Sequence, residues 1–152
     1  MKAVLIVLAL TCLTLTAAVK EVPRATVYYV QLIRGSIRDT PPQPGSHRVG
    51  PKLQSTFRSV FSLRSYWEIA RREVAVGPGE TTKLSLTREC EVEVDLRHPE
   101  VRKVTAFRNG HVVDRVIRPT SDAMSIIGGS RDSQSVWFIV VRRDKPPEEA
   151  GD

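Results

Sequence analysis

The chain has 152 residues, with 23 lysines and arginines against 17 aspartates and glutamates and a formal net charge of +6. That length is enough for one domain with a sizeable core, and no internal repeat divides it. Cys12 lies in an apolar leader and Cys90 is the one other cysteine, which excludes an internal disulfide in the mature chain and leaves the core or a partner to hold the fold.

Met1-Lys2, an apolar run from Ala3 to Leu15 and the small residues Thr16, Ala17 and Ala18 have the three-part layout of a secretory signal peptide, with cleavage expected after Ala18. The rival reading is an uncleaved anchor, but the run is shorter than the roughly 20 apolar residues that cross hydrocarbon. Cys12 lies inside the run instead of at its end and follows the bulky Thr11, so it reads as apolar filler and not as a lipidated residue. The expected location is periplasmic or extracellular, with a bacterial envelope as the default.

"ATVYYVQLI", Ala25 to Ile33, is rich in β-branched and aromatic residues and reads as the first strand. The stretch from Arg38 to Pro51 carries four prolines and two glycines and is expected to form a long loop with no regular element. Pro51 then suits a first helical position, and Leu53, Phe57, Val60 and Phe61 recur at helical spacing, which predicts one amphipathic helix over about 52–62. Tyr66 to Val76 and Thr81 to Leu86 form a strand pair around Gly77-Pro78-Gly79.

Strict alternation follows in "ECEVEVDL", with Cys90, Val92, Val94 and Leu96 on one face and Glu89, Glu91, Glu93 and Asp95 on the other. Period two predicts a half-buried strand with the thiol turned to the core and the acids in solvent. Arg102 and Arg108, or alternatively Arg115 and Arg118, are the cross-strand partners expected for those acids. Two further strands meet at Asn109-Gly110, the strongest short hairpin signal. Met124 to Ile127 suggests a short strand and Gly128 to Ser135 a polar loop. Val136 to Val141 is apolar on both faces, as a central strand would be.

The expected organisation is a signal peptide (1–18), an N-terminal segment with the first strand (19–37), a proline-rich loop (38–51), the rest of one β-rich domain (52–143) and a mobile charged tail (144–152). Short strands joined by Gly, Pro and Asn turns predict a mainly β fold, an antiparallel β-sandwich or a partly open barrel with one short helix. The pattern is similar in general architecture to immunoglobulin-like modules, without their cysteine pair and central tryptophan.

No motif for chemistry stands out. The acids of the opening strand form a row, whereas calcium ligands converge from loops. His47, His98 and His111 have no metal-ligand spacing, and no cofactor is implied. Asp39, Ser46 and His47 are the best available hydrolase constellation, set in a proline loop poorly suited to hold one. Of the basic residues, 17 are arginines, which bind carboxylate and phosphate bidentately. Tyr28-Tyr29 and Tyr66-Trp67 each turn one ring outward, unless the helix or the long loop covers both faces. The leading expectation is an exported, non-enzymatic binding or structural module with a protein partner in an envelope or secreted assembly. Its contact residues would be Tyr66, Arg71, Arg72, Arg142 and Arg143. The alternatives are a binder of anionic lipid or polysaccharide and a hydrolase of an envelope polymer; nucleic acid is not an expected partner.

Overall fold

Alternating apolar residues close two antiparallel sheets on each other in a computed structural model that describes residues 24–131 and 135–147. The expected signal peptide and the last five residues of the tail lie outside the described residues. One sheet has five strands in the order β2-β3-β1-β9-β8 and comprises β1 (Thr26–Ser36), β2 (His47–Arg48), β3 (Ser65–Val76), β8 (Met124–Arg131) and β9 (Ser135–Arg142). The other has four, β4 (Thr81–Ser85), β5 (Cys90–Asp95), β6 (Val101–Arg108) and β7 (His111–Pro119), in sequence order. Neither sheet closes into a barrel, so the sandwich alternative holds.

Between the sheets, Tyr28, Val30 and Val76 meet Val92, Val94, Val104 and Ala106, with Ile139 and Val141 from β9. A second core lies on the other side of the five-stranded sheet, where helix α1 (Pro51–Arg58) packs Leu53 and Phe57 over Ile33, Tyr66, Phe138 and Val140. Phe57 stacks on Phe138 at 4.6 Å and on Tyr66 at 5.0 Å between ring centroids. Three layers therefore need β9 apolar on both faces, as its sequence shows. It lies between β1 and β8, with Val140 opposite Gln31 and Ile126.

Several boundaries differ from the sequence reading, each for a local reason. The proline-rich stretch contains the two-residue strand β2, which pairs His47 with Glu68 and Arg48 with Trp67. Helix α1 stops at Arg58, where the Ser59 hydroxyl donates to the Thr56 carbonyl and competes with helical bonding. Val60 is consequently off the helix and 71% exposed. β8 runs on to Arg131, through the first half of the expected polar loop. Asn109 and Gly110 adopt φ of 50° and 79°, as a tight hairpin requires. The start of the expected mobile tail is packed: Pro146 is buried, and Arg71 donates to the Pro147 carbonyl at 3.4 Å.

Candidate functional site

The five-stranded sheet and the four-stranded sheet each contain a register shift next to the same opening. Ala70 faces Leu32 and Glu68 faces Ile33, which leaves Ile69 as an extra residue in β3. Ala106 faces Asp114 and Phe107 faces Val112, which leaves Val113 extra in β7. A bulge bends its strand and re-aims a side chain, and bulges concentrate beside functional sites. Here both extra residues line one cleft of about 450 Å³.

Leu32, Phe107 and Trp137 complete its apolar walls, with the Cys90 thiol among them and Arg34, Arg108 and Glu89 as its charged groups. Arg34 donates to the Ser135 hydroxyl at 2.9 Å, and Arg108 stands 3.9 Å from Glu89. The Trp137 indole N–H is buried and has no hydrogen-bond partner. A buried donor left unmade costs free energy on the order of 1–3 kcal/mol, which an acceptor brought by a ligand would recover. Burial pushes the Cys90 thiol above its ordinary pKa, against the weaker pull of Arg108. The thiol is therefore a poor nucleophile at neutral pH, and its packing against the inter-sheet core agrees with the alternation of its strand.

The expected contact residues do not form this site. Tyr66 is 1% exposed, because α1 covers the face it was expected to present, and its hydroxyl donates to the Phe61 carbonyl. Trp67 is buried as well, with the Arg48 guanidinium 4.6 Å above its ring. Arg142 is 4% exposed and forms a two-pronged contact with Asp144. Arg71 binds Glu68 through Nε at 2.8 Å and Nη2 at 3.0 Å. Arg72 and Arg143 are exposed; the first donates to the Arg71 carbonyl and the second to that of Ser121.

Other charges are likewise committed. Asp95 was expected in solvent but is 3% exposed, covered by Arg97 and Lys103, each 2.7 Å from Oδ2. Arg108 meets Glu89 as the alternation predicts, whereas Glu91 takes Lys83. Arg102, expected at the acidic face, is fully buried and donates to the Ser125 hydroxyl and the Asp122 carbonyl, which ties β6 to the far edge of the other sheet. Asp39 is held by Arg48 at 2.5 Å, and the Ser46 hydroxyl has no hydrogen-bond partner, so Asp39, Ser46 and His47 are not joined as a catalytic relay. Among the described residues no group of three His, Cys, Asp or Glu side chains could hold a metal ion, and no helix is long and apolar enough to cross a membrane.

The cleft residues Ile69, Val113 and Trp137 were not singled out by the sequence reading. Nothing in β7 marks Val113 in the sequence, because the strand runs in pairs (Val112-Val113, Asp114-Arg115, Val116-Ile117) with no period-two alternation for a bulge to break. No family model, curated protein or solved structure matches this chain.

Proposed function

We propose that the protein is an exported, non-enzymatic binding module of a cell envelope or secreted assembly, and that it holds a segment of a protein partner in the inter-sheet cleft. The observation that carries this reading is the convergence of the two bulged residues, Ile69 and Val113, on one opening that also contains the unpartnered Trp137 N–H. Its walls suit an apolar side chain, and the indole with Arg34 and Arg108 suits a carbonyl or carboxylate beside it. Export rests on the amino-terminal layout of Met1 to Ala18.

A polyanion is the weaker partner because five arginines already hold acids: Arg48 with Asp39, Arg71 with Glu68, Arg97 with Asp95, Arg108 with Glu89 and Arg142 with Asp144. Polyanion binding falls steeply with salt, which screens the charges and makes counterion release less favourable, whereas apolar burial does not. The test is capture of a partner from a solubilised extract of the source cell at low and high salt, with Val113→Asp as the comparison. The proposal expects one protein retained at high salt by the unaltered chain and lost by Val113→Asp. Retention at low salt alone, or equal retention by both chains, contradicts it.

A further inference from the structure

On the opposite side of the five-stranded sheet, beside α1, lies a second cleft of about 790 Å³. Its floor is a polar cluster from adjacent strands: Gln31 faces Arg71 in the β1–β3 register, and Glu68 sits two pairs along, opposite Ile33 and beyond the bulge at Ile69. The walls come from Ser46 to Gly50, Leu53 and the prolines 146 and 147. Gln31 is 2% exposed, and its amide nitrogen donates to Glu68 Oε2. Its Oε1 is buried without a partner, and so is the Ser46 hydroxyl. Turning the Gln31 amide over would bring its oxygen against the Glu68 carboxylate, so the bond to Glu68 fixes which atom is left over.

Two unmet groups in one cleft define what would complete them. The charges there are mutually matched, Arg71 with Glu68, Arg142 with Asp144 and Arg48 with Asp39. An anion would have to displace a carboxylate and would still meet the Gln31 oxygen, which only accepts. A cation would meet the guanidinium groups. A hydroxyl both donates and accepts, so it satisfies Gln31 Oε1 and Ser46 Oγ without disturbing any ion pair. We infer that this cleft is a second binding site, built for a neutral, hydroxyl-rich ligand of the saccharide class. It stands apart from the inter-sheet cleft, with which it shares no lining residue.

Calorimetric titration of the purified protein with glucose, galactose and N-acetylglucosamine, and with sodium sulfate as the anionic control, tests the assignment. Saturable binding of at least one sugar is expected, weakened about tenfold or more, the equivalent of one lost hydrogen bond, by Gln31→Leu and by Ser46→Ala. Ser46 lies in a surface loop, so its variant keeps the test interpretable if Gln31→Leu fails to fold. Val113→Asp should leave sugar binding unchanged, which separates this site from the partner cleft. Absence of binding by all three sugars would mean that water alone meets these groups and would overturn the inference. So would binding indifferent to both substitutions, or displacement of the sugar by sulfate.

Discussion

Asp95 shows how one side chain can follow its strand and still defy its expected setting. Alternation places it on the acidic face of β5, and the register confirms that by pairing it with Thr81 and Lys103. What the alternation does not contain is the cover: Arg97 folds back to donate to both carboxylate oxygens, at 3.0 Å and 2.7 Å. The Arg97 side-chain bonds hold the Asp95 carboxyl well below the usual carboxylate range, with Lys103, the Arg97 backbone N–H and Thr81 adding to them against burial. A depressed folded-state pKa stabilises the fold above the unfolded value of about 3.9, and that stability is lost as pH falls below it. Acid unfolding should therefore show a limb beginning near about pH 4–5. Asp95→Asn should lower stability at neutral pH and flatten that limb in urea titrations followed by circular dichroism.

Cys90 is the converse case, legible because its neighbours at two-residue spacing are Val92 and Val94, both fully buried. Its thiol is raised by burial, so labelling by a maleimide at pH 7 should be slow in the folded chain and fast in denaturant. Rapid labelling of the folded protein would contradict the burial of the thiol against the inter-sheet core.

At the level of elements, strands were more legible than surfaces. Period-two patterning and the Asn109-Gly110 turn place β5, β6 and β7 within a residue or two of their bounds. The helix was found from Leu53 and Phe57, yet the same spacing assigned Val60 to its buried face. Packing separates them: Leu53 is enclosed in the second core and Val60 is in solvent. Leu53→Ala should cost about 2–5 kcal/mol, while Val60→Ala should stay within about 0.5 kcal/mol. Chemical denaturation of the two variants measures the difference directly. Tyr66 was misplaced for a related reason, since a strand pattern shows that two rings point opposite ways but not that a helix covers one side and a loop the other. Bulges are harder still. Ile69 and Val113 are extra only relative to β1 and β6, and pairing partners are not written in either strand.

Across the whole molecule, the two cores share one sheet, and each face of that sheet carries a cleft. One cleft opens between the sheets and is lined by the two bulged residues; the other lies beside α1 and the residues after β9. The sandwich class was readable because it depends on strand number and turn chemistry. The third layer was not, because a single short helix can lie on a face, at an edge or across an end. The most direct test of the central claim is a photo-crosslinking amino acid placed at position 113 of the full chain, with position 72 as the control, in cells of the source organism. One protein joined through position 113 and absent from the position 72 sample is the expected result. No adduct at 113, or the same adducts from both positions, would contradict a binding site in the inter-sheet cleft.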